Sequence, residues 1–233
     1  MMKAIILIAI TAAAAANSFG QRRVTPTKIP SSVPVKPGTA TTQKAPPVSG
    51  IAGSVEGRTY SNPHFGFNVE FPASWLIPGP DFEKVMRERG FDVRVANTSA
   101  MGPAYSQAFK RNVTHLLTAY RSMPGTPENA YVIIAAEDIK RFPQIKDAVD
   151  YVDAVRASYA NARLPAGFKY SETDAEKLGA TQFAFLDSSM GSEKRRMYVT
   201  VRNGSALIFV LAYTRAEDLA AFRRIMEEAA FDR

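Results

Sequence analysis

Residues 197–213 read MYVTVRNGSALIFVLAY. Two runs rich in β-branched and aromatic residues flank Asn203-Gly204, a dipeptide that tolerates the two positive φ angles of a type I′ turn. The stretch predicts a hairpin of Met197–Arg202 and Ser205–Tyr213. Val113–Arg121 (VTHLLTAYR) and Tyr131–Glu137 (YVIIAAE) predict two more strands, joined by SMPGTPENA, which has the Pro-Gly chemistry of a turn. Thr181–Ser188 and Phe168–Glu172 read as strands as well. In FGFNVEF, residues 65–71, Phe65, Phe67, Val69 and Phe71 fall on one face, predicting a strand with one buried side that Pro72 ends.

Helical spacing appears between these runs. Ile145, Val149, Val152, Val155 and Tyr159 predict an amphipathic helix over 144–163, broken by Pro165-Ala-Gly167. Thr214 with Glu217 reads as a capping box that opens a last helix, whose buried stripe is Leu219, Phe222, Met226 and Ala229 or Ala230. Pro80 to Arg89 predicts a short helix closed by Gly90. In 91–112, Ala104, Tyr105, Ala108 and Phe109 fit a helix face, while Phe91, Val93 and Val95 alternate like a strand. Hairpins joined by short turns imply an antiparallel sheet. The expected fold is α+β, with a central, mostly antiparallel sheet of about six or seven strands and helices on its faces.

The N-terminal part reads differently. Lys3 precedes Ala4–Ala16, thirteen residues without a charge, and small residues follow to Gly20. This is the layout of a secretory signal peptide, residues 1–20, with cleavage after Ala16 or after Gly20. Thirteen residues fall short of the ~20 needed to span a bilayer, so cleavage is expected over retention as an anchor. Residues 21–55 are rich in Pro, Thr, Ser and Lys and too poor in apolar groups to offset their ordering entropy, which predicts a disordered linker. The folded domain is expected over 56–233. The net charge of +7 belongs mostly to the leader and linker: residues 1–55 carry +6 and residues 56–233 only +1. That distribution argues against nucleic acid as a partner. Through its basic linker the chain has at most a transient contact with a membrane surface. Lys194-Arg195-Arg196, the one dense basic run of the domain, reads as a solvated strand end.

The stretch YSNPHFGFNVEFPASW, residues 60–75, resembles the opening of PsbP-like domains: an aromatic, an Asn, Gly-Phe, an alternating strand and Pro-x-x-Trp. The hairpin, apolar strand and final helix ending in a Phe look like theirs too, so the resemblance covers about Arg58–Phe231. It implies an α/β/α sandwich and protein binding more than catalysis. Family members include an extrinsic subunit of the photosynthetic oxygen-evolving complex, a nuclear-import factor that binds a small GTPase, and bacterial envelope lipoproteins. The matching motif defines no ligand or metal residue. Trp75 reads as a core or rim anchor before a ligand-stacking residue.

Little in the chain points to catalysis. There is no cysteine, which removes thiol chemistry and Cys-based metal sites. The imidazoles are His64 and His115, without H-x-H or H-x-x-x-H spacing, and no G-x-S-x-G, Walker or dinucleotide motif occurs. Glu172, Asp174 and Glu176 alternate in a strand-to-turn segment; they would suit Ca²⁺, but a solvated turn is the simpler reading. Sequons stand at Asn97, Asn112 and Asn203. The expectation is a periplasmic or secreted protein, without cofactor or metal, that is not an enzyme and binds a cell-envelope protein. Its expected contacts include His64, Trp75, Tyr105 and Phe109, and its expected face is residues 78–112, because long connections in compact domains often carry function. The alternatives are a small-molecule or lipid carrier, with a closed apolar pocket between helix and sheet, and a hydrolase.

Overall fold

The structure is a computed structural model and describes residues 51–79, 82, 113–121 and 130–232. The signal segment, the linker to residue 50, the helix expected over 80–89 (apart from Phe82, which is helical) and the stretch 91–112 with Tyr105 and Phe109 lie outside the described residues.

In chain order the elements are β1 (Ser54–Glu56), β2 (Thr59–Asn62), β3 (Phe67–Glu70), β4 (Val113–Tyr120), β5 (Tyr131–Asp138), α1 (Ala148–Asn161), β6 (Lys169–Tyr170), β7 (Asp174–Leu178), β8 (Thr181–Met190), β9 (Glu193–Arg202), β10 (Ser205–Tyr213), α2 (Ala216–Glu228) and β11 (Ala230–Phe231). A seven-stranded antiparallel sheet runs β4-β5-β10-β9-β8. The outer side of β8 is then shared, with β7 along residues 181–185 and β6 at Ser188 and Ser189. A second sheet, β1-β2-β3-β11, is also antiparallel.

The class is therefore α+β with a central antiparallel sheet and a helix on each face. On one face Tyr151, Val152, Val155 and Tyr159 of α1 fill the space against Leu186, Val199, Ile208 and Val210. On the other, Phe222, Ile225 and Met226 of α2 join Tyr60, Phe67 and Val69 of the small sheet over Ile134, Phe183, Tyr198 and Phe209. Covering both faces explains why β10 reads as an unbroken apolar run, whereas β3, with Phe67 and Val69 buried and Asn68 and Glu70 exposed, alternates. The small sheet shares a layer with α2, an arrangement absent from the sequence reading. Phe231 of β11 seals it, stacked on Phe67 with ring centroids 5.6 Å apart and edge-on to Phe183 at 5.6 Å.

The central hairpin forms as expected, with φ of 50° at Asn203 and 73° at Gly204. Other boundaries moved for local reasons. β1 begins at Ser54, inside the stretch read as linker, because it pairs with β2. α1 starts at Ala148 rather than 144: the Asp147 carboxylate accepts from the N–H groups of Val149 at 2.8 Å and Asp150 at 3.0 Å, capping the helix there. Val149, read as part of the buried stripe, is 42% exposed, and Tyr151 takes its place. The Thr214/Glu217 capping box does not form. Arg215 is the N-cap and makes no side-chain cap bond, which leaves Thr214 one position too early, while Glu217 pairs with the Arg215 guanidinium.

Gly179 turns β7 into β8 beneath the end of α2. Its φ is +58°, and a Cβ there would lie 2.5 Å from the Glu227 carbonyl oxygen. Gly179→Ala should cost at least about 1–2 kcal/mol from the left-handed backbone alone, with displacement of α2 added. Urea unfolding of the variant reads this as a lower midpoint; an unchanged midpoint would refute the close approach.

Candidate functional site

The residues singled out in the sequence do not gather into one site. Trp75 is 5% exposed and packs on Phe71, ring centroids 5.6 Å apart, as a core anchor. His64 lies exposed in the turn before β3, its ring edge-on to Phe65, and its carbonyl accepts from the Asn203 side chain. His115 projects from β4, where Nε2 lies 2.8 Å from Thr118 Oγ1. The acidic triplet does not converge either. Glu172 pairs with Arg156, Asp174 is exposed, and Glu176 turns inward. Among the described residues no group of three or more His, Asp or Glu is placed to hold a metal ion.

Glu176 corrects two sequence readings. It is not part of a solvated turn: it sits in β7, paired opposite Phe183, and carries three partners. The Tyr198 hydroxyl and the Arg223 guanidinium donate to it, and Arg196 Nη1 lies 3.4 Å away. The basic run is not simply solvated. Arg195 is 8% exposed and forks onto Glu193, with Nε to Oε1 at 2.7 Å. Arg196 donates to both oxygens of Asp187, at 2.7 and 2.6 Å, and lies 4.2 Å over the Phe185 ring. Burial by itself would lower the Arg196 pKa, but the hydrogen bonds to Asp187 and Tyr198 hold it above its ordinary value. Burial raises the Tyr198 hydroxyl, with Glu176 adding and Arg196 opposing. This network ties β7, β8, β9 and α2 together and consumes Asp187 as the partner of Arg196.

Immediately beyond Asp187 the chemistry changes. Lys169 of β6 stands opposite Ser189 of β8, Ser189 opposite Lys194 of β9, and Lys194 opposite Tyr213 of β10. Directly opposed residues share a sheet face, so these four form one row across four strands. The two lysines are two strands apart, roughly 10 Å at the backbone. Both are exposed, and neither has an acidic partner among the described residues. The row lines a wide-mouthed cleft of about 340 Å³ whose walls also include Tyr170, Ser171 and Ser188. Tyr170 is 37% exposed and steadied by Tyr159, with ring centroids 5.4 Å apart. Burial raises the Tyr213 hydroxyl, with Asp187 adding and Arg196 opposing, so it is a neutral donor at pH 7. The Ser171 hydroxyl is committed: it donates to the Glu172 carbonyl at 2.6 Å and accepts from the Asp187 N–H at 3.1 Å.

No imidazole reaches this cleft. His64 lies by the Asn203 turn, nine residues along β9 from Lys194, roughly 25–30 Å at strand rise. His115 is on β4, at the far side of the sheet from β8. A cleft with two lysines that have no acidic partner among the described residues, and with hydroxyls beside them, can hold an anionic group. Among the described residues no hydrogen bond joins Ser189 to a base.

No family model matches the chain, and no curated protein matches it. Among solved structures, it is similar to the cyanobacterial PsbP of Synechocystis sp. PCC 6803, at 14% identity over 82% of this chain and 99% of that one, with a TM-score of 0.42. It is also similar to a protein of unknown function from Pseudomonas aeruginosa, at 21% identity over 52% of this chain and 82% of that one, TM-score 0.36. A Bacteroides thetaiotaomicron VPI-5482 protein matches at 9% identity over 77% of this chain and 50% of that one, TM-score 0.38. None of these likenesses assigns an activity to the chain.

Proposed function

We propose that the protein is an exported, non-enzymatic interaction module of the cell envelope, built on a PsbP-like domain, that captures a partner protein at the Lys169–Ser189–Lys194 cleft. The observation that carries this reading is the pair of lysines, without an acidic partner among the described residues, that flank one serine in an open cleft, in a domain whose described arginines are largely spent on carboxylates. The export signal and Pro-rich tether support the envelope location. The Tyr60–Trp75 motif supports the domain type. Among the described residues no helix is long and apolar enough to cross a membrane.

The test uses a photoreactive benzophenone side chain in place of Tyr170, a conservative aromatic exchange at the sheet edge that borders the cleft, next to Lys169. The same group in place of Glu70, exposed on the small sheet, is the control. Irradiated cells should yield one dominant cross-linked protein from position 170 and none from position 70. Equal yields from both positions would sink the assignment of the face.

A further inference from the structure

We propose that the cleft recognises an extended peptide segment carrying two carboxylates two residues apart, one taken by Lys169 and the other by Lys194. This ligand class rests on the cleft being the partner-binding face, and it follows from which cations are still available there. The nearest guanidinium forks are occupied, Arg195 by Glu193 and Arg196 by Asp187. What remains is two ammonium groups on flexible stems, set apart by the width of β8 and with Ser189 between them. A fork grips a single planar or tetrahedral oxyanion in two places; an ammonium acts as a point charge. Two point charges rooted roughly 10 Å apart suit two separate negative charges better than one. Side chains two residues apart on an extended chain leave its same face about 6.6–6.8 Å apart, a gap the lysine stems close by leaning inward. Between them, the Ser189 hydroxyl supplies a neutral donor for the intervening peptide group, and the Tyr213 hydroxyl stands next in the row, beyond Lys194.

Charge complementarity selects the same partner. Asp187 would repel a carboxylate, but its charge is neutralised by Arg196 directly opposite it on the same sheet face, so the cleft presents a net positive field. An acidic surface strand or tail of an envelope protein has the required chemistry.

The experiment is an NMR titration of the purified protein with the capped pentapeptide Gly-Glu-Gly-Glu-Gly. Gly-Gln-Gly-Gln-Gly and inorganic phosphate are titrated in parallel. The glutamate peptide should shift the amides of residues 169–171, 188–190 and 194, and the glutamine peptide should shift none of them. Lys169→Gln and Lys194→Gln should each weaken binding about five-fold, and the pair about 25-fold. Raising NaCl from 50 to 500 mM should weaken it further. Phosphate that saturates the same amides as tightly overturns the proposal in favour of a small-anion site. So does dependence on one lysine alone, or no shift with the glutamate peptide. Peptide binding without in-cell capture at position 170 supports the ligand class and refutes the capture function. Capture without peptide binding refutes the ligand class and leaves the capture function standing.

Discussion

Glu137→Gln should remove most of the pH dependence of folding stability between about pH 4.5 and 7, and stabilise the protein above pH 7. Glu137 is 1% exposed on β5, beneath α1. Its Oε2 accepts from the Tyr151 hydroxyl at 2.6 Å, while Oε1 has no hydrogen-bond partner. Burial raises its pKa from 4.5 to about 7, against the lowering effect of the Tyr151 bond. The folded state thus holds a proton that the unfolded chain has already released. Below pH 4.5 both states are protonated, and this residue exacts no pH-dependent cost. As pH rises toward 7 only the unfolded state ionises, so stability falls at about 1.4 kcal/mol per pH unit, by up to about 3 kcal/mol in all. Glutamine cannot ionise and should hold its stability across that window. Chemical denaturation of wild type and variant at pH 4.5, 6 and 8 reads the difference. Parallel curves would show that Glu137 is solvated and ionised like a surface acid.

The second large effect falls on Arg196. Arg196→Ala deletes the fork on Asp187, the contact with Glu176 and the cation over Phe185. Removing one member of a buried ion pair costs about 3–5 kcal/mol. Asp187 is 37% exposed and can recover water, which brings the expected loss to about 2–3 kcal/mol. The released carboxylate then faces Lys169 and Lys194 across the cleft and competes with the acidic ligand. The variant should be less stable and should also bind the glutamate peptide more weakly. Arg196→Lys restores the charge without the fork and should recover part of both. Full peptide binding by Arg196→Ala, measured below its melting temperature, would show that Asp187 does not set the field of the cleft.

Local patterns carried much of the fold. The β9–β10 hairpin, the alternation of β3 and the apolar run of β5 each depend on neighbours in sequence, so their residues declare them. β7 did not declare itself. DAEKL has the composition of a turn, and it becomes a strand because β8 offers an edge and because Arg196 and Arg223, 20 and 47 residues away, neutralise Glu176. β1, β2 and β11 are two to four residues long, too short for a period to show. The cleft was hidden for a related reason. Lys169, Ser189, Lys194 and Tyr213 become neighbours only once three strand registers are fixed. One signal was available: Asp187-Ser188-Ser189 interrupts the apolar pattern of β8 before the strand ends, as a strand facing a polar opening would. Of the contacts expected from sequence, Trp75 is consumed by the core, His64 sits at the far end of the hairpin, and Tyr105 and Phe109 lie outside the described residues.

The most direct test of the cleft as the partner face is in-cell capture by the cross-linker at position 170, with and without Lys169→Glu and Lys194→Glu together. Both lysines are exposed and have no acidic partner among the described residues, so the double variant should melt within a degree or two of the wild type. One dominant captured protein that disappears on charge reversal is the predicted result. The same protein captured equally well by the reversed cleft would contradict it.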